Sequence, residues 1–232
     1  MTTIPANLQA VIKRIADACA EAGRNPAAVR LLAVSKTWPE SAVRTAAGAG
    51  QMAFGESYVQ EALPKMAALA DLGLEWHFIG PLQSNKTRHV AENFDWVHSI
   101  ERLKIAERLS AQRPEHLPPL SVCVEVNVSG ETSKSGCTLD EAPALCRAVA
   151  ALPRLSLRGL MAIPEPMSDE KSALVRRHFA AVRTLQEQLV AEGLPLDTLS
   201  MGMSHDLEAA IMEGATIVRV GTAIFGERTY NT

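Results

Sequence analysis

Apolar residues recur along this chain in short runs that are separated by longer amphipathic stretches. The short runs are typical of buried strands, and the longer stretches show the three- and four-residue spacing of helices. The clearest strand pattern is 120–128, where apolar residues alternate with other types in the second half. The pattern predicts strands at 31–34, 51–55, 75–79, 95–99, 120–128, 155–160, 197–201 and 215–220.

Helices are predicted before and between these strands. The first, at 6–22, places on one face Leu8, Val11, Ile12, Ile15 and Cys19. The others are predicted at 40–47, from 56–58 onward, and at 84–93, 101–112, 138–151, 169–191 and 206–213, with a helical turn at 221–226. Three starts have capping-box spacing: Thr37 with Glu40, Ser57 with Gln60, and Thr138 with Glu141.

This regular alternation predicts an α/β fold with a parallel sheet. Eight strands in 232 residues favour a closed (β/α)8 TIM barrel with an extra N-terminal helix, as a single domain over 1–232. An open doubly wound sheet is the competing architecture, and it usually has a glycine-rich turn after its first strand. Here that turn reads Ser-Lys-Thr-Trp-Pro, at 35–39, which favours the barrel.

Composition narrows the function classes. A hydrophobic content of 47% supports a full core, while a net charge of −3 and 4% aromatic residues argue against a nucleic-acid surface. No apolar run has the length of a membrane span, and the N-terminus lacks the pattern of a signal peptide. The four cysteines form no C-x-x-C pair and are expected to be reduced. We therefore expect a cytoplasmic protein.

Lys36 stands at the junction between the first predicted strand and the next helix. In a barrel of this kind, that junction lies on the face where active sites are built. The residue is either a solvated surface charge or a desolvated amine. Burial would lower the pKa of such an amine and make it suitable for forming a Schiff base or binding an anion.

The loops after the last two strands are the usual phosphate site of such barrels. Segment 200–204 contains Ser200, Gly202 and Ser204 near a helix start, and Gly221 and Thr222 follow the eighth strand. Glycine allows close approach of the backbone, and N–H groups at a helix start attract anions. Alone, each loop is also explained by a helix cap or a chain turn. Both loops opposite one lysine favour an anion site.

Arg219 interrupts the apolar eighth strand. It either pairs with a carboxylate at the rim or faces a ligand in the barrel mouth. The six histidines show no metal-binding spacing, so no metal site is predicted, and His77 is interpreted as structural. The loop 129–136, with Lys134, either covers the mouth or is a plain flexible loop. No catalytic residue is predicted.

Seven ordered motifs, between about Asn7 and Tyr230, resemble the pyridoxal phosphate homeostasis proteins, which are similar to the barrel domain of bacterial alanine racemase. The motifs are Leu-Leu-Ala-Val-Ser-Lys (31–36), Phe-Gly-Glu-Ser-Tyr (54–58), Trp-His-Phe-Ile-Gly-Pro-Leu-Gln-Ser-Asn-Lys (76–86), Ser-Lys-Ser-Gly (133–136), Gly-Leu-Met-Ala-Ile (159–163), Ser-Met-Gly-Met-Ser (200–204) and Arg-Val-Gly-Thr-Ala-Ile-Phe-Gly (219–226). So many ordered segments make the resemblance highly specific.

The resemblance implies that Lys36 holds pyridoxal 5′-phosphate as a covalent Schiff base and that Arg219 contacts the pyridine nitrogen. It implies phosphate contacts from Ser200, Met201, Gly221 and Thr222. Ser57 stands where family members commonly have asparagine, so the cofactor contact of that position is expected to change, because serine is shorter.

Arg219 also bears on activity. A guanidinium cannot accept a proton, so a pyridine nitrogen facing it should stay unprotonated and make the ring a weaker electron sink. Alanine racemases take a second acid/base, a tyrosine, from a C-terminal β domain of the partner subunit. This chain ends soon after the predicted barrel, and its only tyrosines are Tyr58 and Tyr230. We therefore expect a monomeric protein that binds the cofactor and passes it to other enzymes. Amino-acid racemase and, more remotely, lysine-dependent aldolase are the alternatives.

Overall fold

Eight parallel strands close into a barrel in which each strand pairs with its neighbours in the sequence, and the last pairs with the first. The computed structural model describes residues 3–131, 135–164 and 172–227. The strands are β1 Arg30–Val34, β2 Ala53–Glu56, β3 Glu75–Phe78, β4 Trp96–Ile100, β5 Leu120–Val126, β6 Leu155–Ala162, β7 Thr198–Ser200 and β8 Ile217–Val220. The predicted (β/α)8 barrel is confirmed.

Helices surround the barrel between successive strands. They are α1 Ile4–Glu21, α2 Glu40–Gly48, α3 Val59–Ala68, α4 Thr87–Asn93, α5 Leu103–Gln112, α6 Ala142–Ala150, α7 Ser172–Ala191, α8 Leu207–Met212 and α9 Thr222–Phe225, with short 3₁₀ helices Pro26–Ala28 and Ala70–Leu72. The extra N-terminal helix α1 packs against α2, α8 and α9. Asn7 ties it to the end of the chain by donating to the Ile224 carbonyl at 2.9 Å.

Alternation along the strands separates two environments. Outward side chains such as Phe54, Val122 and Leu199 pack against the helices in one large core. Inward side chains form small clusters, of which one contains Trp96, Cys123 and Met161. The remaining interior is polar, so much of the barrel's centre is filled by hydrogen-bonded groups rather than by the branched aliphatic layers common in this fold.

Two of the three predicted capping boxes are wrong. Thr37 adopts a left-handed backbone with φ of 69°, and α2 is preceded by Pro39, which has no side-chain cap. Helix α3 begins at Val59, and its cap position is Tyr58 rather than Ser57, with no side-chain cap. The Thr37 N–H donates to Glu61 instead, which overrides the local preference of that segment.

The third capping box is confirmed. The Glu141 N–H donates to Thr138 Oγ1 at 3.2 Å, and the Glu141 carboxylate accepts from the Thr138 N–H at 2.9 Å. Helix α1 shows one further difference, because Ile12 is 43% exposed although the other four residues of its predicted face are buried. In the described part of the chain, no helix combines the length and the apolar character that a bilayer span requires.

Candidate functional site

A cavity of about 200 Å³ lies at the carboxyl ends of the strands, where β1 and β8 meet. Four of the predicted site residues line it: Lys36, Arg219, Gly221 and Thr222. Ser204 and His205 line the same space, and Val34, Ile79, Ile163 and Met203 provide apolar walls. One amine, one guanidinium and one glycine turn therefore face a common space, as the sequence predicts.

The segment that carries Lys36 is fixed from behind by a buried ionic cluster. Lys65, on α3, is 5% exposed, and its ammonium group donates to the Ser35 carbonyl at 3.0 Å and to Glu56 at 2.7 Å. It also reaches Glu61 at 3.0 Å, and Glu61 in turn accepts from the Thr37 N–H. The residues on either side of Lys36 are thus held to one helix, which sets where the amine can reach.

Glu56 is the fully buried member of this cluster. It accepts from Lys65 and, at 2.7 Å, from Ser35 Oγ. Burial raises the pKa of Glu56, and the charge of Lys65 partly opposes that effect. Because Glu56 and Ser35 alternate with inward-facing neighbours, the cluster lies between the barrel wall and α3, on the far side of β1 and β2 from the cavity.

Arg219 is 4% exposed and rigidly held. Its guanidinium donates to the Ser200 carbonyl at 2.5 Å, to Ser200 Oγ at 2.8 Å and to the Ala162 carbonyl at 3.0 Å. Burial lowers the pKa of Arg219 to about 10, with Asp206 and Glu125 opposing that shift. The side chain therefore remains a cation at neutral pH, and it uses three of its five N–H donors to fix its plane.

The turn after β8 brings its backbone close to the end of β1. A Cβ atom at Gly221 would lie 3.2 Å from the Val34 carbonyl oxygen, which is a tight contact, so glycine eases this approach. The first N–H groups that bond within the turn are those of Ile224 and Phe225, which both donate to the Gly221 carbonyl. The N–H groups of Thr222 and Ala223 precede these bonded groups at the start of α9, and N–H groups in such positions can bind an anion.

Ser200 and Met201 do not line this cavity, and their predicted phosphate contacts stay predictions. Ser200 is fully buried, and its hydroxyl contacts Arg219 and the His98 Nδ1 atom at 2.7 Å. Met201 packs its side chain into the core between sheet and helices, and its N–H donates to Ile217. Alternation turns every second side chain of β7 away from the cavity, and the loop reaches the cavity only after Gly202, where φ is 94°.

Ser204 is the polar member of the 200–204 motif that lines the cavity, beside Met203. It does not cap α8, because Asp206 is the cap residue and its carboxylate accepts from the Met203 N–H at 2.5 Å. His205, beside it, is exposed at the cavity edge. The sequence contained a signal for both residues, because Gly202, Met203 and Ser204 directly follow β7, at the end of the barrel where sites are built.

Ser57 lies apart from Lys36. It lines a neighbouring hollow of about 330 Å³ together with Tyr58, Gln83 and Lys86. Its buried hydroxyl has no hydrogen-bond partner among the described residues. Ser57 therefore does not line the cavity of Lys36, and its contact with the cofactor stays a prediction.

Glu125 is a functional candidate that sequence reasoning missed. It lies on the inward face of β5 and lines a cavity of about 170 Å³ with Ser135, and this cavity shares the walls Ile79 and Ile163 with the first one. Burial raises the pKa of Glu125 to about 7, while Arg219 partly opposes the shift. The signal was present, because the valines of β5 take the outward positions and leave this carboxyl facing the barrel's interior.

The remaining predicted features lie outside this space. His77 is buried and hydrogen-bonded, so its structural interpretation is confirmed. Lys134 and Tyr230 lie outside the described residues. In the described ranges, no group of three or more histidine, cysteine, aspartate or glutamate side chains is placed to hold a metal ion.

Comparison with known proteins gives a consistent result. Residues 6–229 match the family model "Alanine racemase, N-terminal domain". A Pseudomonas aeruginosa protein named "Pyridoxal phosphate homeostasis protein" is 62% identical over 230 residues, which cover 99% of this chain and 98% of that protein.

Two solved structures illustrate the structural likeness. PipY of Synechococcus elongatus, solved with pyridoxal phosphate bound, has a TM-score of 0.80 at 40% identity, over 91% of this chain and all of that one. Alanine racemase from Corynebacterium glutamicum has a TM-score of 0.68 at 19% identity, over 95% of this chain and 62% of its own, which shows a common fold alone.

Proposed function

We propose, from the premise that this chain belongs to the pyridoxal phosphate homeostasis proteins within the alanine racemase N-terminal domain family, that it binds pyridoxal 5′-phosphate and takes part in the homeostasis of that cofactor. The observation that carries the proposal is the convergence of Lys36, Arg219 and the Gly221–Thr222 turn on one cavity. An amine, a fixed cation and a backbone anion site correspond to the aldehyde, ring nitrogen and phosphate of this molecule.

Each residue then has a distinct task. Lys36 holds the cofactor covalently through its aldehyde carbon. The N–H groups of Thr222 and Ala223, with the hydroxyls of Thr222 and Ser204, bind the phosphate. Arg219 faces the ring nitrogen. Ser200 acts through Arg219, and Met201 supports the loop through its backbone.

We propose that the protein stores and passes on the cofactor rather than turning over amino acids. When bound, pyridoxal phosphate supplies a ring that can withdraw electrons from a reacting carbon, most strongly when its nitrogen is protonated. Arg219 donates and cannot supply a titrating proton at neutral pH, so it keeps that nitrogen unprotonated. The chain's own residues therefore favour binding over carbanion chemistry.

A second candidate function, amino-acid racemase, is favoured by one observation. Glu125 is a buried carboxyl with a pKa raised to about 7, in a cavity that adjoins that of Lys36. Such a group suits general acid/base work. Deuterium exchange at Cα of alanine and other amino acids separates the two functions. Exchange at enzyme-like rates that is lost in Glu125→Gln would establish the racemase.

Reductive trapping tests the proposed function. Purified protein incubated with pyridoxal phosphate is expected to be yellow, and borohydride should fix the label on Lys36, identified by peptide mass. Lys36→Ala should lose the coloured adduct, whereas Lys86→Ala, which changes a lysine at the neighbouring hollow, should keep it. Absence of any adduct in the loaded wild-type protein would refute covalent binding.

The remaining predictions extend this proposal. We propose that the protein is a cytoplasmic monomer and delivers the cofactor to pyridoxal phosphate-dependent enzymes. Sedimentation measures the oligomeric state. Mixing the loaded protein with a cofactor-free recipient enzyme, with and without a dialysis membrane between them, measures whether activation requires contact.

A further inference from the structure

A chain of hydrogen bonds crosses the interior of the barrel from its amino-terminal end to the cavity. Its members are Glu75, His77, His98, Ser200 and Arg219, on the inward faces of β3, β4, β7 and β8. The distances are 2.5 Å from Glu75 Oε1 to His77 Nε2, 2.9 Å from His77 Nδ1 to His98 Nε2, 2.7 Å from His98 Nδ1 to Ser200 Oγ, and 2.8 Å from Ser200 Oγ to Arg219 Nη1. Three of the contacts have ordinary hydrogen-bond lengths, and the one between Glu75 and His77 is shorter.

The Arg219 end allows one direction in which every donor is used. A guanidinium only donates, so Ser200 Oγ accepts from Arg219, and its own hydrogen can donate to His98 Nδ1. His98 then carries no hydrogen on Nδ1. Burial lowers the pKa of His98 well below the usual value for histidine, so the ring is neutral at pH 7 and its one ring hydrogen lies on Nε2.

The Glu75 end selects this direction. Its hydrogen bond with His77, together with Arg30 at 2.7 Å, lowers the pKa of Glu75 to about 2, so the carboxylate only accepts. His77 must therefore carry its hydrogen on Nε2. Burial also lowers the pKa of His77, which leaves Nδ1 free to accept from His98. The two ends agree, and every donor meets an acceptor.

The rings are held in this register by stacking. His77 lies parallel to the Trp96 ring, with centroids 5.3 Å apart and planes 5° from parallel, and it meets His98 edge-on at 5.1 Å. These contacts limit rotation of both imidazoles. The hydrogen-bond direction can therefore change only if both rings exchange their protonated nitrogen.

We propose that His77, His98 and Ser200 are positioning residues, which form a one-directional hydrogen-bond chain that fixes Arg219 toward the cavity and couples it to Glu75 at the opposite end of the barrel. The consequence for the ring nitrogen of pyridoxal phosphate rests on the proposed function. The direction of the chain does not, since it is a property of the protein without ligand.

The test compares two carboxylates at the same end of the barrel. Glu75→Gln removes the negative charge at the Glu75 end of the hydrogen-bond chain. Asp197→Asn is the matched control, because Asp197 is also paired with an arginine, Arg158 at 2.5 Å, but does not contact the chain. The ring nitrogens of both histidines are read by ¹⁵N NMR in the ligand-free proteins, and the absorbance maximum is read after loading with pyridoxal phosphate.

In the wild-type protein, both histidines are expected to be neutral with hydrogen on Nε2. In Glu75→Gln, the other tautomer should appear at His77 and His98 together, with a shifted absorbance maximum of the bound cofactor. Asp197→Asn should match the wild type in both readouts. Hydrogen on Nδ1 of wild-type His98, a change at His77 alone, or equal effects of the two variants would overturn the proposal.

Ser200→Ala provides a second test that does not depend on the folding of Glu75→Gln. It should keep the Nε2 tautomer of both histidines, because Glu75 still sets the direction, while pyridoxal phosphate binds about three- to ten-fold more weakly as Arg219 loses an anchor. Loss of the tautomer in this variant would contradict the proposal. If the wild-type protein fails to bind the cofactor at all, the proposed function is refuted. The histidine ¹⁵N resonances still test the direction of the hydrogen-bond chain in that case.

Discussion

Replacing Glu125 with glutamine should change how the stability of the ligand-free protein depends on pH. The glutamine has nearly the same shape and cannot ionise. In the folded protein, burial raises the pKa of Glu125 from 4.5 to about 7. Because one pKa unit corresponds to about 1.4 kcal/mol, this shift corresponds to an upper bound of roughly 3 kcal/mol.

The sign follows from proton binding. Between about pH 4.5 and 7 the folded state holds a proton on Glu125 that the unfolded chain has released, so rising pH favours unfolding. The contribution of Glu125 is therefore most favourable below the pKa of the unfolded chain, and it is lost as pH rises to about 7. Glu125→Gln lacks this dependence and should gain stability relative to the wild type between pH 5 and pH 8, by up to roughly 3 kcal/mol.

Urea unfolding at pH 5 and pH 8 measures this difference for the wild type and the variant. Glu115→Gln is the control, since Glu115 is 90% exposed and should give the same difference from the wild type at both pH values. An unchanged difference for Glu125→Gln would refute the reasoning. A loss of relative stability at pH 8 would mean that the attraction of Arg219 outweighs burial.

Two further predictions concern the walls of the site. Lys65→Met should lower the free energy of unfolding by about 3–5 kcal/mol in urea unfolding at pH 8, because Glu56 is left buried without its cation; a loss below about 1 kcal/mol would contradict this. Gly221→Ala should weaken pyridoxal phosphate binding about five- to ten-fold in an absorbance titration, because the new Cβ presses on the Val34 carbonyl and moves the turn. Gly48→Ala, where an added Cβ meets nothing within 4 Å, is its control, and equal binding by the two variants would contradict the argument.

The barrel was predictable because its signals are periodic and local. The alternation in strands such as β5 and the amphipathic spacing in helices such as α1 indicate which faces are buried. Eight repeats of one strand–helix unit then predict the closed sheet. Helix starts were less predictable. Thr37 and Ser57 carry capping-box spacing, but neither is the cap residue: the Thr37 N–H is bound by Glu61, and α3 begins one residue too late for Ser57.

The site was predictable where a residue's position along a strand determines its direction. Lys36, Arg219 and Gly221 fall at strand ends and face the cavity as expected. The surroundings of Ser200 and Met201 could not be read from the motif alone. The Ser200 hydroxyl is bound by His98 and Arg219, which are distant in sequence. The Met201 side chain points outward into the core between the sheet and the helices.

The two lysines near the end of β1 differ in what they offer to a reagent. The Lys65 amine donates to three oxygen atoms, and an ammonium bound in this way has no lone pair with which to attack a carbonyl carbon. Lys36 opens on the other side of the same strand, into the space that an aldehyde can enter. An aldehyde probe with the shape of vitamin B6 should consequently modify Lys36 and spare Lys65, although Lys65 contacts the residue next to Lys36.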